Sequence, residues 1–237
     1  DLLVRPGQAL ADLLEDAFVN QDLAGLIVLS HYTLSAARNY SDNYFIHDRS
    51  LGYGPTSFDR KHHLSLSQVW ELPIGRGKKY MGNASRAADL IVGGWQISSN
   101  TIISSGLAFT ATVSGTNCSV NSGPCRPDRT SDDVYPDNQS RDQWFIPGIG
   151  PGTPWAKAAD GQFGNVGQNT LRGPGFWQSN LAIFKRFRIT EGTNLEFRAE
   201  GYNIFNHVNL GQPRDCVDCN PSEAGRIFNL ASGAQMR

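Results

Sequence analysis

From Trp177 to Glu200 the apolar residues occupy alternate positions on both sides of one tight turn, and this pattern constrains the fold of the 237-residue chain more than any other feature. Trp177, Leu181, Ile183, Phe187 and Ile189 share one face, while Gln178, Asn180, Arg186 and Arg188 share the other. After Thr190-Glu191-Gly192 the alternation resumes, with Leu195, Phe197 and Ala199 set against Glu196, Arg198 and Glu200. A period of two marks strands whose two faces meet different surroundings. A three-residue loop pairs Ile189 with Thr193, Phe187 with Leu195 and Arg186 with Glu196. A two-residue loop would slip the register by one and oppose apolar to charged positions.

The run from Trp95 to Val113 has the same build. Trp95, Ile97, Ile103, Leu107, Phe109, Ala111 and Val113 share one parity, and Ser104-Ser105-Gly106 is placed to turn the chain. It predicts a second hairpin, with Ile103 opposite Leu107, Thr101 opposite Phe109, and Gly106 in a left-handed conformation. Leu26–Ser35 and His63–Leu72 read as further strands. The first places Leu26, Val28, Tyr32 and Leu34 on one face; the second opposes Leu64, Leu66, Trp70 and Leu72 to Ser65, Ser67 and Glu71. Residues 38–59 read as a loop, and PIGRGKKYMGN breaks the alternation with Pro73 and three glycines. Helical periodicity is convincing only in residues 7–20, where Leu10, Leu13, Leu14, Ala17 and Phe18 predict a short amphipathic helix. Some sixty residues, 115–176, are dominated by Gly, Pro, Asn, Asp and Ser and read as one long loop. Trp144 and Trp155 within it suit either turn-stabilising packing or ligand contact.

Composition narrows the class. A net charge of −1 with only 18% charged residues lacks the basic footprint that nucleic-acid binding needs. The 25 glycines and 12 prolines suit many short strands joined by turns, and 39% hydrophobic residues is low for a thick core. No stretch approaches the roughly 18 consecutive apolar residues of a spanning helix. That excludes the helical way across a membrane and leaves closed barrels open. In a barrel the apolar face meets lipid and the polar face the lumen, and Trp70, Trp95 and Trp177 at strand ends would suit an aromatic girdle. The same alternation would serve a secreted β-sandwich binding module for carbohydrate or adhesion, with the apolar face as its core. An enzyme is not expected: there is no HExxH and no G-x-S-x-G, and His31, His47, His62, His63 and His207 form no chelating set. No catalytic residue, metal or cofactor is therefore predicted. Four cysteines allow three pairings. Cys118 with Cys125 and Cys216 with Cys219 is the pairing expected in an oxidising compartment; a four-thiolate zinc site has poor spacing here.

Three segments carry a resemblance to a known family: YGPTSFDRKHHLSLSQVWELPIGRGKKY (Tyr53–Tyr80), GGWQISSNTIISSGLAFTATVSG (Gly93–Gly115) and FGNVGQNTLRGPGFWQSNLAIFKRFRITEGTNLEFRAEGYNIFNHVNLGQP (Phe163–Pro213). In this order they resemble the C-terminal barrel of TonB-dependent receptor-like proteins, of the group with an N-terminal carboxypeptidase-regulatory-like domain common in Acidobacteria. The likeness covers roughly residues 25–230. It implies an all-β fold, an antiparallel meander forming part of a transmembrane β-barrel of about 22 strands with long extracellular loops; the short N-terminal helix read at 7–20 departs from it, standing where a strand pair is expected. Residues 1–237 would be a partial barrel of seven or eight strands, a fragment lacking the plug domain and the final aromatic-ended strand, with 115–176 an extracellular loop. The implied partners are outer-membrane lipid, an imported ligand of unspecified chemistry, and the TonB complex through the missing N-terminal region. Arg186, Arg188, Glu196, Arg198 and Glu200 are the lumen candidates, with Trp144 and Trp155 in the loop.

Overall fold

The computed structural model describes residues 25–40, 49–121, 123–189 and 192–234. The helix predicted at 7–20 lies outside them. The elements run β1 (Leu26–Leu34), β2 (Arg38–Tyr40), β3 (Tyr53–Pro55), β4 (His62–Glu71), α1 (Arg86–Val92), β5 (Trp95–Ser104), β6 (Ala108–Phe109), β7 (Asp128–Arg129), β8 (Trp155–Ala156), β9 (Leu171–Arg172), β10 (Phe176–Arg188) and β11 (Asn194–Gly201).

Five strands make one antiparallel sheet in the order β1-β4-β5-β10-β11. Each is 8 to 13 residues long. A strand crossing a bilayer at a tilt needs about 9–11 residues, and ordinary strands average about 5–6. The β10–β11 hairpin has the register read from the sequence: Phe187 opposes Leu195, Arg186 opposes Glu196, and the Ile189 N–H bonds the Thr193 carbonyl at 3.0 Å.

The second predicted hairpin does not form. Ile103 pairs with Leu64 on one side and Trp177 on the other, so β5 lies between β4 and β10. Residues 107–113 leave the sheet, and Phe109 pairs with Leu171 instead. β10 offers β5 a ladder of ten pairs and 107–113 could offer about half as many, so the longer pairing prevails. Gly106 has no positive φ; it is a point of close approach, where a Cβ would lie 1.8 Å from the Gly173 carbonyl oxygen. The loop read at 38–59 contains a small pair, β2 with β3. The glycine-broken stretch after β4 contains α1. Ser85 caps it, accepting the Ala88 N–H at 3.2 Å, and Gly93 closes it against the Asp89 carbonyl.

The register assigns every strand residue to one of two faces. Leu64, Leu66, Trp70, Ile97, Ile103, Trp177, Leu181, Ile183, Leu195 and Phe197 share the apolar face. Ser65, Ser67, Asn100, Gln178, Asn180, Arg186, Glu196, Arg198 and Glu200 share the polar one. The segregation is strict in β11; in β10, Phe176 and Phe184 fall on the polar side and Lys185 on the apolar one, and in β1, Ile27 and Leu29 fall on the polar side. Hydroxyls on the apolar face satisfy each other, Thr101 Oγ1 and Ser179 Oγ lying 2.8 Å apart.

The buried core is not under this sheet. Phe109, Ala111, Val113, Val134, Phe145, Trp155, Val166, Leu171 and Val217 form it, drawn from the long β5–β10 connection and the segment after β11. The residues read as one open loop at 115–176 are thus largely a packed cap. Its chain segments are tied by main-chain bonds, among them Val217 N–H to Thr112, Trp144 N–H to Gly225 and Ile227 N–H to Arg141.

Candidate functional site

All three large connections leave the same end of the sheet: residues 35–61, 105–175 and the segment from 202 onward. At this rim the quoted motifs converge. Asp59, buried below the β2–β3 pair, accepts the Ala37 N–H at 2.8 Å and the Arg172 guanidinium at 2.5 Å. Arg60 beside it reaches Ser104 Oγ and the Ser105 carbonyl, both at 2.9 Å. Arg172 is also held through its backbone. Its N–H donates to the Tyr135 hydroxyl at 2.7 Å, and its carbonyl accepts from Trp144 Nε1 at 2.9 Å. Asn209 clamps Trp177, accepting its N–H at 2.7 Å and donating to its carbonyl at 2.9 Å. Asn203 and Asn206 adopt left-handed φ values, which asparagine tolerates, to turn the chain back onto β10. FDR, LRGPG, W and FNHVN together therefore build the joint between wall and cap.

The polar face below the rim holds the charged candidates. Arg186 pairs with Glu196 across the strands at 2.9 Å. Arg198 pairs with Glu200, which also accepts the Tyr202 hydroxyl at 2.9 Å, and the Arg198 guanidinium lies 4.9 Å from the Phe184 ring centre. Arg188 occupies the same parity opposite Asn194. Farther in, Asn100 Nδ2 donates to Ser67 Oγ at 2.9 Å, and Gln178 Nε2 to Asn180 Oδ1 at 3.2 Å. Among the described residues, the charged groups of this surface are largely paired with one another.

The two loop tryptophans are separate from this surface. Trp155 is 0% exposed, with Nε1 donating to the Ile146 carbonyl at 2.6 Å and its ring edge-on to Phe145. It is a core residue of the cap and has no surface to offer a ligand. Trp144 is half-buried and spends its N–H on Arg172. Sequence reasoning missed Asp59 and Arg172, although FDR and LRGPG stood within the quoted motifs.

Much of the apolar face is left uncovered by the described residues, although α1 buries Lys185 at its lower edge. Leu195 and Phe197 remain 57% and 51% exposed, and Trp70 and Ile103 are exposed as well. A sandwich would have sealed them; a bilayer would solvate them. The family model for the outer membrane beta barrel domain matches residues 19–237. The chain belongs to that family. No curated protein and no solved structure matches it. The barrel chain is therefore a protein of the bacterial outer membrane, and the five-stranded sheet is a sector of its wall. Trp70, Trp95 and Phe187 lie toward one end of the apolar face, and Tyr32 and Trp177 toward the other. Ten steps of about 3.3 Å separate Phe187 from Trp177, and a strand tilt of about 40° reduces that to about 25 Å, the height of a barrel's apolar band.

In the barrel chain the cap carries two disulfides, Cys118–Cys125 and Cys216–Cys219. Asp218, between the second pair, accepts the Ser114 N–H at 2.6 Å, the Ser114 hydroxyl at 2.8 Å and Asn117 Nδ2 at 2.5 Å. It thereby joins the second disulfide loop to the turn that leads into the first. Loops this short contribute about 2 kcal/mol each by chain entropy. Reduction is expected to raise hydrogen exchange in residues 112–130 and 214–220 while leaving β10 and β11 protected.

Acid should act on the same ties. Burial pushes the Asp59 carboxyl up, but the Arg172 hydrogen bond, the Ala37 N–H and the charges of Arg172 and Arg38 outweigh it, so Asp59 lies below its usual value. For Asp218, burial likewise raises the carboxyl, and the Asn117 and Ser114 hydrogen bonds bring it below. Depressed folded values mean the stabilisation is complete above the unfolded carboxylate value of about 3.9 and is lost as pH falls through the folded values. Trp155 fluorescence should be constant from pH 7 to 5 and shift only below about pH 4.

Two cavities open in this region. One of about 390 Å³ lies within the cap between Arg129, Asp132, Asn165 and Thr170, but Arg129 is occupied by the Ser131 and Asp132 carbonyls and the Asp132 carboxylate. The other, about 310 Å³, sits at the rim between Arg60, Leu107, Phe176, Leu210 and Gln212. Neither presents an outward-facing constellation that would specify a ligand.

Proposed function

We propose that the chain is a wall sector of a TonB-dependent receptor-like transporter, its polar face toward a plugged lumen and its cap on the cell exterior. The supporting observation is the joint of wall and cap, where the motifs of that family's barrel meet around Asp59, Arg172 and Asn209. Outer-membrane barrels place long connections outside the cell and short turns in the periplasm, which puts the disulfide-bearing cap outside. The paired ladder of Arg186, Glu196, Arg198 and Glu200, with Arg188 on the same face, gives a wet, mixed-charge wall. Exposed pairs of this kind are screened by water and contribute little, so they can exchange partners with a passing ligand or a plug. Energy coupling on this reading would require a plug and a TonB-contacting segment.

The test is cross-linking in cells that express the complete gene product. Recovery of TonB with the barrel supports transport driven from the inner membrane. No TonB, together with steady passive conductance of the purified protein in planar bilayers, would make it an open pore instead.

A further inference from the structure

At the end opposite the cap, the β4–β5 connection carries a small ordered body, residues 73–94. Main-chain bonds from Gly75 to Tyr80, Tyr80 to Pro73 and Gly77 to Gly82 fold its first half, and the Arg76 N–H donates to Asp89 Oδ1 at 2.6 Å, fastening that half to α1. Lys185 shows on which side of the wall this body sits. It belongs to the apolar face by register, opposite Trp95 and Phe197. A cation there would meet acyl chains, yet Lys185 is only 3% exposed. Its Nζ donates to the Ile91 and Gly93 carbonyls at the end of α1, between the rings of Trp95 and Phe187 at 4.9 and 5.1 Å. Trp95 Nε1 also donates to the Ile91 carbonyl, at 2.9 Å. The end of α1 is thus fixed against the lipid-facing side of the wall.

Two apolar side chains of α1 lack any protein cover: Leu90 is 54% exposed and Ile91 72%. Both belong to the end of α1 that Lys185 and Trp95 hold at the lower edge of the apolar face. Around them residues 73–94 carry Arg76, Lys78, Lys79 and Arg86 against Asp89; Lys78 lies 3.8 Å from Glu71, which leaves Arg76, Lys79 and Arg86 as the cations that can meet headgroups. Exposed Tyr80 and Met81 lie in the same stretch. Apolar side chains beside a cluster of cations are what a surface needs to sit at a lipid headgroup boundary. Each Lys or Arg near an anionic leaflet is drawn to it electrostatically.

We propose that residues 73–94 form a foot that seats the barrel wall in the inner leaflet, with Leu90 and Ile91 immersed among acyl chains and the basic residues on anionic phospholipid headgroups. Lys185 pins the foot to the wall, so immersion and strand position are coupled. The choice of the inner leaflet rests on the proposed orientation, with the cap outside the cell; what the barrel transports does not enter.

The test places a nitroxide at Ile91→Cys in the chain folded into phosphatidylcholine vesicles, with and without phosphatidylglycerol, and compares collision with oxygen against collision with a water-soluble nickel chelate. Leu195→Cys is the lipid reference and Asn138→Cys, in the cap, the aqueous one. Ile91 should favour oxygen as Leu195 does, and more strongly with phosphatidylglycerol present. The added immersion should vanish in the Lys79→Gln/Arg86→Gln chain. Nickel-favoured collisions at Ile91, or shielding from both probes, overturn the foot. Equal immersion in the two lipids overturns its preference for anionic headgroups.

Discussion

Leu181→Arg is expected to lower the stability of the bilayer-inserted chain by about 2–4 kcal/mol, whereas Ala182→Arg, one residue on, should change it by about 0.5 kcal/mol or less. Leu181 sits mid-strand in β10 on the apolar face, between Ser99 and Gly201. A guanidinium there faces the Ser99 hydroxyl but no carboxylate, and must be drawn out of water into hydrocarbon. Ala182 faces the polar side opposite Glu200 and Ser98, so an added arginine gains a carboxylate partner and remains hydrated. Urea midpoints of the two variants in lipid vesicles, followed by tryptophan fluorescence, measure the contrast. Equal losses at both positions would mean that both faces are buried in protein.

Arg172→Ala should destabilise the joint by about 3 kcal/mol, since removing one member of a buried pair leaves the other charged and dry. The Asp59 carboxylate is almost wholly enclosed, and Arg172 supplies two of its contacts: the side-chain bond at 2.5 Å and a second guanidinium bond to the Asp59 carbonyl at 2.8 Å. Arg172 itself is about one-third exposed, which places the effect at the low end for such pairs. The added substitution Asp59→Asn should recover part of the loss by removing the orphaned charge. Hydrogen exchange should rise in residues 35–61 and 105–175 and remain low in β10. Fraying of β10 along with the cap would show that wall and cap unfold together.

The wall was legible because its signal is local. In β10 and β11 a three-residue turn, strict alternation and like-on-like pairing all give one register, so Arg186 opposite Glu196 follows from the sequence. The turn at Ser104-Ser105-Gly106 carries the same local signs, yet its outcome depends on whether a longer partner is available, and β10 lies more than seventy residues away. The absence of a side chain at Gly106 has a tertiary cause, the backbone of Gly173. The cap was read as loop because its core residues occur singly, at no fixed period. Phe145, Trp155, Val166 and Val217 come together through main-chain bonds to turns, disulfides and asparagine clamps, none of which leaves a hydrophobic pattern. Helix α1 left one sign, Ser85 three residues before Ala88, which the surrounding glycines obscured. Of the candidate site, the cross-strand ladder was readable from parity, whereas Asp59 and Arg172 are 113 residues apart and only the fold joins them.

The central claim is that the two sides of β10 face different solvents. Single cysteines at positions 180 to 184, probed in turn with a membrane-impermeant maleimide and by quenching from brominated acyl chains, test it most directly. Reaction with the aqueous reagent at 180, 182 and 184, alternating with lipid quenching at 181 and 183, is the predicted result. Protection of 181 and 183 from both probes, or alternation in the opposite phase, would contradict it.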